Sequence, residues 1–156
     1  MTQTSLRKGQ TGDEEWLFQL FRTTMQDYID RAWGWEELLQ REGFVTGLPA
    51  REFQILEVEV GIKEVPVGCY HLSEKSDCLL LDMIMVEPQW QGQGYGRLMM
   101  ERIQQISSGS RLPLRLRVLQ TNPAVKFYQR FDFCEAGRDQ HSLEMTWRAR
   151  TSSRPD

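Results

Sequence analysis

A short glycine-rich segment in the middle of the chain has the composition of a loop that binds a phosphate. It runs Gln91-Gly92-Gln93-Gly94-Tyr95-Gly96-Arg97. Glycine lets the backbone approach a ligand closely. Amides at the start of a helix have no partner inside the helix and lie at the positive end of its dipole, so they attract anions. If a helix begins in this segment, the sequence predicts an anion site.

The segments on either side predict a strand before the loop and a helix after it. Residues 79–86 form an apolar run with the length of a buried strand, and Pro88 follows as a stop signal. After the loop, apolar residues recur with helical spacing, at Leu98, Met99, Ile103 and Ile106. The loop therefore joins a strand to the N-terminus of a helix.

The glycine spacing excludes two common nucleotide sites. A dinucleotide fingerprint needs G-x-G-x-x-G, and an NTPase loop ends in G-K-[ST]; neither occurs here. Three glycines can also form a flexible turn without any ligand, and this alternative stays open for the loop alone.

A second block downstream has the features of a strand followed by a helix. Residues 113–118 alternate apolar and basic side chains, as a half-buried strand does. Asn122 and Pro123 suit the start of a helix, and Ala124, Phe127, Tyr128 and Phe131 form an apolar stripe after them.

Together the two blocks resemble the GNAT superfamily of N-acetyltransferases. Residues 91–96 are similar to its Q/R-x-x-G-x-G/A motif, and residues 122–133 to its N-x-A-x-x-F-Y-x-x-x-G-F signature. One position departs from the pattern: Asp132 stands where the family has glycine, and we expect it in a left-handed turn.

The resemblance implies an α/β (α+β) fold. A mixed, mostly antiparallel central sheet of six to seven strands is flanked by about four helices, in the order β-α-α-β-β-β-α-β-α-β-β. The strands at 79–86 and 114–118 are expected to splay apart. Residues 1–150 are predicted to form a single domain, and residues 151–156 a frayed tail.

The resemblance also implies acetyl-CoA as cosubstrate, with its pyrophosphate on the glycine loop. Backbone groups of the splayed strand are expected to pair with the pantetheine amides. The implied cofactor-binding residues are Ile84, Met85, Val86, Gln91, Gly92, Gln93, Gly94, Tyr95, Gly96, Arg97 and Asn122. For Asn122, helix capping is an alternative that could coexist with this role.

Two residues are candidates for the chemistry. Tyr128 stands where many family members carry the tyrosine proposed to protonate the departing CoA sulfur; a tyrosine packed into the core is the alternative. Asp82 interrupts the apolar strand, and alternation places it on the face of Ile84 and Val86. It is expected to bind substrate or to act as a base through water, with a structural ion pair as the alternative.

The acceptor is much less defined by the sequence. The resemblance places it between the first two helices and the later strands, where acidic and aromatic groups would suit a cationic amine. The candidates are Tyr28, Trp33, Trp35 and Glu36, with Asp30 and Glu37 beside them. Such residues can also form an ordinary solvated helix face. A small amine is the first expectation, and a protein N-terminus or a lysine remains open.

Composition excludes several other classes. The formal net charge is -3, so nucleic acid is not an expected partner. No apolar stretch has membrane-spanning length, and the polar residues 1–5 do not resemble a signal peptide, which predicts a cytoplasmic protein. Cys69, Cys78 and Cys134 are expected to be reduced core thiols, and no metal motif is found.

Two further alternatives stay open. The chain could bind acetyl-CoA as a non-catalytic sensor or regulatory module, or be an interaction domain that binds no CoA. Many family members dimerise, and five tryptophans leave room for an apolar contact, so a homodimer is compatible with the sequence.

Overall fold

Alternating and continuous apolar segments build the strands of one central sheet. The computed structural model describes residues 3–150. Within this range the sheet has seven strands. Their bounds are β1 Thr4–Lys8, β2 Phe53–Val60, β3 Lys63–Glu74, β4 Leu79–Val86, β5 Leu114–Leu119, β6 Cys134–Arg138 and β7 Ser142–Trp147. The predicted segment 79–86 coincides with β4.

The sheet consists of two antiparallel halves that meet at a short parallel seam. The strand order is β1-β2-β3-β4-β5-β7-β6. At the seam β4 pairs with β5 only through Leu79 with Leu114 and Leu80 with Arg115. Beyond Leu80 the two strands separate, so the expected splay is confirmed and a gap opens in the middle of the sheet.

Helices cover both faces of this sheet. Their bounds are α1 Glu14–Trp33, α2 Glu37–Gly47, α3 Tyr95–Ser110 and α4 Ala124–Arg130. Helices α1 and α2 pack on one face, here called the α1 face, around Phe21, Phe44 and Phe53. Helices α3 and α4 pack on the other, the α3 face, with Met99 and Tyr128 in its core. The element order and fold class therefore agree with the prediction.

Two details of the first helices differ from the sequence prediction. The sequence predicts an apolar face for the first helix from Trp16, Leu17, Leu20, Phe21, Tyr28 and Ile29. This set omits Phe18, which is completely buried among the aromatic rings on the α1 face. A second helical segment is predicted around residues 35–39. In the structure this helix begins at Glu37, and its Leu38 and Leu39 are exposed.

A bulge in β4 reverses the alternation of its side chains. His71 of β3 lies opposite Met83, whereas Leu72 lies opposite Leu81, so Asp82 is an extra residue without a partner. Leu81 and Ile84 consequently pack on the α3 face, and Met83 and Met85 on the α1 face. The expectation that Asp82 shares a face with Ile84 and Val86 is wrong, because it assumed an unbroken alternation.

Asp132 has φ 70°, which confirms the left-handed turn after α4. Cys69 and Cys78 are buried, but Cys134 is exposed at the start of β6, so the prediction of a core thiol is wrong there. The predicted tail at 151–156 and the first two residues lie outside the described residues.

Gly68 of β3 lies where the end of β4 approaches most closely. A Cβ atom on Gly68 would lie 2.7 Å from the Met85 carbonyl oxygen. Gly68→Ala is therefore expected to destabilise the fold by about 1–3 kcal/mol, as overpacking does. The free energy of unfolding from denaturant titration measures the effect.

The matched control is Gly43→Ala in α2, where nothing lies within 4 Å of the added atom. Alanine at an exposed helical position should leave stability unchanged or raise it by about 0.5–1 kcal/mol. Equal stability of the two variants would contradict the close approach at Gly68.

Candidate active site

A cleft of about 680 Å³ opens over the gap between β4 and β5. The glycine loop, the end of β4, the N-terminus of α4 and the middle of α1 form its walls. Its lining residues are Thr23, Thr24, Met25, Tyr28, Ile84, Met85, Val86, Pro88, Trp90, Gln91, Gly92, Gly94, Tyr95, Gly96, Arg97, Asn122, Pro123, Ala124, Phe127, Arg130 and Phe131. All of the predicted cofactor-binding residues except Gln93 are among them.

The glycine loop presents backbone amides to this cleft. Gly92 and Gly94 have φ of 79° and 92°, a left-handed conformation that favours glycine. Gly94 is the residue before α3, and the first bond inside the helix runs from the Leu98 amide to the Gly94 carbonyl, 2.9 Å. The amides of residues 95–97 therefore have no partner within the helix and are free to bind an anion.

The loop is also tied to the end of β4. The side-chain amide of Gln91 donates a hydrogen bond to the Val86 carbonyl, 2.9 Å. A Cβ atom on Gly96 would lie 3.4 Å from the Phe127 ring, so glycine allows α3 and α4 to approach each other. The strand end, the loop and α4 thus form one continuous wall.

The charges and open groups of the cleft suit a polyphosphate ligand with an amide-containing arm. Arg97 and Arg130 line it, and none of the described lining residues is an aspartate or glutamate. The seam ends at Leu80, so the edge of β4 that carries residues 84–86 lacks a strand partner on the β5 side. Free amides, two guanidinium groups and an unpaired strand edge fit the phosphates and pantetheine arm of acetyl-CoA.

Asn122 caps α4 as well as lining the cleft. Its side-chain oxygen accepts a hydrogen bond from the amide of Ala124, the first residue of the helix, at 2.9 Å. Its Nδ2 lies 3.8 Å from the sulfur of Met25 in α1. The capping role is thus present in the structure, and the side chain still borders the cleft.

Tyr128 lies behind the wall of the cleft rather than on its surface. It is 8% exposed and packs against the rings of Phe127 and Phe133, with centroids 5.6 and 5.8 Å away. Burial raises the pKa of its phenol, because the ionised form would be poorly solvated. Its neighbours Ala124 and Phe127 line the cleft, whereas Tyr128 does not.

Asp82 belongs to a polar cluster on the α1 face. One carboxylate oxygen, Oδ2, lies 2.8 Å from Nδ1 of His71 and accepts a hydrogen bond from the Ser73 hydroxyl at 2.6 Å. Partial burial by itself raises the pKa of Asp82, but the hydrogen bonds to His71 and Ser73 together outweigh it and keep this pKa below its usual value. Asp82 is therefore a carboxylate at neutral pH.

His71 lies between two carboxylates. Its Nε2 is 3.2 Å from Oε1 of Glu52, the last residue of the turn before β2, while its Nδ1 faces Asp82. A neutral imidazole has a single N–H group, so both contacts are hydrogen bonds only when both ring nitrogens carry protons. His71 itself is 2% exposed and packs edge-on against Phe53.

The predicted acceptor residues are not gathered into one place. Tyr28 lines the cleft. Trp33 is 62% exposed at the end of α1 and touches the ring of His141, 5.3 Å between centroids. Trp35 packs against Phe18 and Phe21 and donates its indole N–H to Glu37. Glu36 precedes α2. Of these four candidates, Tyr28 alone reaches the cleft wall.

Sequence reasoning missed several residues that the structure brings to the site. Thr23, Thr24 and Met25 form the α1 wall, and their helical spacing from the apolar face could have indicated this position. Arg130 and Phe131 lie inside the second recognised block. His71 carried a usable signal, because like Asp82 it interrupts an apolar strand.

Two negative findings apply to residues 3–150. None of the helices in this range is both long and apolar enough to cross a bilayer. Nor do these residues bring three or more histidine, cysteine, aspartate or glutamate side chains together in a way that could hold a metal ion.

Solved structures with the same fold include several N-acetyltransferases. The PaiA N-acetyltransferase from Thermoplasma acidophilum, in complex with coenzyme A, has a TM-score of 0.72 at 15% identity, covering 94% of this chain and 99% of that chain. The ribosomal-protein-S18-alanine N-acetyltransferase from Escherichia coli has a TM-score of 0.70 at 17% identity, and the match covers 97% of each chain. N-acetylglutamate synthase from Neisseria gonorrhoeae, complexed with coenzyme A and N-acetyl-glutamate, has a TM-score of 0.67 at 18% identity. The match covers 96% of this chain and 36% of that chain.

Comparison with curated protein sequences finds no match. A family model described as an acetyltransferase (GNAT) domain matches residues 49–135, which is more than half of the 156 residues. The matched range contains the bulged strand, the glycine loop and α4. The chain belongs to the GNAT family of acetyltransferases, whose acetyl donor is acetyl-CoA.

Proposed function

We propose that this protein transfers the acetyl group of acetyl-CoA to a primary amine by direct attack in a ternary complex. The observation that carries the proposal is the continuity of the cleft, which runs from the glycine loop past the gap in the sheet to α1. Donor and acceptor can therefore be held together. Holding two reactants in one site supplies much of the rate enhancement of a bimolecular transfer.

The cofactor-binding residues act as three groups. The amides at the start of α3 bind the pyrophosphate, with Gln91, Gly92, Gln93, Gly94, Tyr95, Gly96 and Arg97 forming the loop. The backbone of Ile84, Met85 and Val86 pairs with the pantetheine amides. Asn122 holds the start of α4 beside this arm. Acetyl-CoA supplies the activated acetyl thioester, and these residues orient it for attack.

Tyr128 is proposed as the general acid. Its phenol is protonated at neutral pH and can donate to a leaving thiolate, although burial raises its pKa and makes it a weaker acid than an exposed tyrosine. Its helix borders the cleft through Ala124 and Phe127. A rotation of the side chain or of α4 is required to bring the hydroxyl to the cleft.

Asp82 is proposed to orient the amine rather than to deprotonate it. Its lowered pKa makes it a weak base, whereas a permanently charged carboxylate attracts an ammonium group. The bulge places it on the α1 face, the side from which the family resemblance expects the acceptor. Action as a base through an intervening water is the alternative role.

A small-molecule amine is the first acceptor to test. Tyr28, Trp33, Trp35 and Glu36 are proposed to contribute to its site, with Tyr28 at the cleft wall. Similar folds include an enzyme named for a protein alanine and one complexed with N-acetyl-glutamate. A protein N-terminus and a lysine side chain are therefore tested in the same panel.

One observation favours a second candidate function. Because Tyr128 is buried behind the cleft wall, the chain could bind acetyl-CoA as a sensor or regulatory module without turnover. Release of CoA during incubation with a panel of amines distinguishes the two. Tight acetyl-CoA binding without release across amino acids, polyamines and peptides would favour the sensor.

The loop conformation gives a test of the cofactor site. Gly94→Ala places a side chain at φ 92°, which costs about 1–2 kcal/mol and distorts the amides of α3. We expect the Kd for acetyl-CoA, measured by calorimetry, to rise about tenfold. Gly109→Ala, near the other end of the same helix and in open space, should leave the Kd unchanged. Equal Kd values for both variants would refute the assignment of the loop.

The general acid is tested with Tyr128→Phe, which removes only the hydroxyl. We expect kcat to fall by about 100-fold or more, with little change in the Kd for acetyl-CoA. Tyr70→Phe is the matched control, because Tyr70 is a buried tyrosine of the same core that does not line the cleft. A wild-type kcat in the Tyr128→Phe variant would refute the role of Tyr128 as general acid.

The role of Asp82 is tested with Asp82→Asn, which removes the charge and keeps the shape. We expect kcat/KM for the amine to fall about tenfold or more, because a misplaced reactant reacts more slowly. Asp77→Asn removes the same charge from the exposed turn between β3 and β4 and should have no effect. Unchanged turnover in Asp82→Asn would show that the Asp82 carboxylate has only a structural role.

A further inference from the structure

The polar cluster of His71, Asp82 and Ser73 occupies the position of the bulge in β4. Asp82 is the residue for which β3 provides no partner, since Leu72 pairs with Leu81 and His71 with Met83. His71 and Ser73 are two residues apart on β3, so their side chains point to the same face. Both hydrogen-bond the same oxygen, Oδ2 of Asp82. The side chain of the extra residue is therefore held by both neighbours across the sheet.

The position of this bulge determines which side chains of β4 face which side. With the extra residue at 82, Ile84 and Val86 pack on the α3 face, and Met83 and Met85 on the α1 face. A one-residue slip of a strand moves every following side chain to the opposite face. A bulge located beyond Val86 instead of at Asp82 would therefore reverse the faces of the cleft-lining residues 84–86.

We propose that His71 is a positioning residue for the cofactor: its Nδ1–H bond to Asp82 fixes the bulge, and the bulge sets the orientation of residues 84–86 toward acetyl-CoA. This inference rests on the proposed cofactor role of those three residues. It assigns His71 no contact with either substrate. Its effect passes through Asp82 and the backbone of β4.

The two polar contacts of His71 have different consequences. Nδ1 contacts Asp82 on β4, whereas Nε2 contacts Glu52 in the turn before β2. The Glu52 side chain is 48% exposed, and Glu52 does not belong to β4. Of the two contacts of His71, only the one through Nδ1 should therefore affect acetyl-CoA binding.

Two substitutions at position 71 separate these bonds. The side-chain nitrogen of asparagine lies on Cγ, as Nδ1 does, and that of glutamine lies one atom further out, as Nε2 does. His71→Asn therefore keeps a donor for Asp82, and His71→Gln keeps one for Glu52. Calorimetric titration with acetyl-CoA, without acceptor, should give a wild-type Kd for His71→Asn. For His71→Gln it should rise about tenfold, the equivalent of one unsatisfied buried hydrogen bond.

Glu52→Gln is the control for the other end of the imidazole and should leave the Kd unchanged. Equal Kd values for the two position-71 variants, whether weakened or not, would overturn the proposal, because a generally structural histidine would not distinguish them. If His71→Gln does not fold, Ser73→Ala replaces it: its Kd should rise, and Ser73→Thr, which keeps the hydroxyl, should restore it. Wild-type binding by Ser73→Ala would then overturn the proposal.

The wild-type chain separates this inference from the proposed function. If wild-type protein does not bind acetyl-CoA, the proposed function fails and this proposal fails with it. If wild-type protein binds while His71→Gln binds equally well, only the role of His71 is refuted.

Discussion

The separation of two neighbouring strands is the constraint around which the rest of this structure is arranged. Strands inside a sheet normally satisfy their backbone groups along their whole length. Here β4 and β5 share two residue pairs and then diverge. The groups that this divergence leaves open require other partners, and the glycine loop supplies one of them through Gln91, which binds the Val86 carbonyl.

The residues around the gap differ in charge from one face of β4 to the other. Toward α3 the cleft offers unpaired amides and two arginines, without a carboxylate among the described lining residues. On the opposite face of β4, Asp82 keeps a negative charge through its bonds to His71 and Ser73. The two faces of β4 therefore differ in charge, positive toward α3 and negative at Asp82 on the α1 face.

Local sequence predicted the parts of the site that depend on local chemistry. Residues 79–86 predicted the bounds of β4, the spaced glycines predicted the loop, and Asp132 was correctly expected in a left-handed turn. The face of Asp82 was predicted wrongly, because a bulge depends on how β3 pairs with β4 and leaves no mark in the β4 sequence itself. For the same reason the contact between His71 and Asp82 could not be predicted from either strand alone.

The aromatic residues of the first helices show a similar limit. Trp35 is a residue type expected in an amine-binding site, yet its ring packs against Phe18 and Phe21. A tryptophan that binds an amine and a tryptophan that packs in the core both bury the ring beside other side chains, so residue type cannot distinguish these two roles. Tyr28, by contrast, lines the cleft, because its position in α1 faces the gap.

The short seam also has a consequence for the kinetics of folding. Strands β2, β3 and β4 are joined by short turns, whereas the pairs Leu79–Leu114 and Leu80–Arg115 close a long loop for little hydrogen bonding. The seam should therefore form after the main folding barrier. A ligand in the cleft contacts the end of β4, the glycine loop and α4, and so joins the two halves of the sheet across the gap. These contacts are absent from such a transition state, so acetyl-CoA should slow unfolding while leaving the refolding rate almost unchanged.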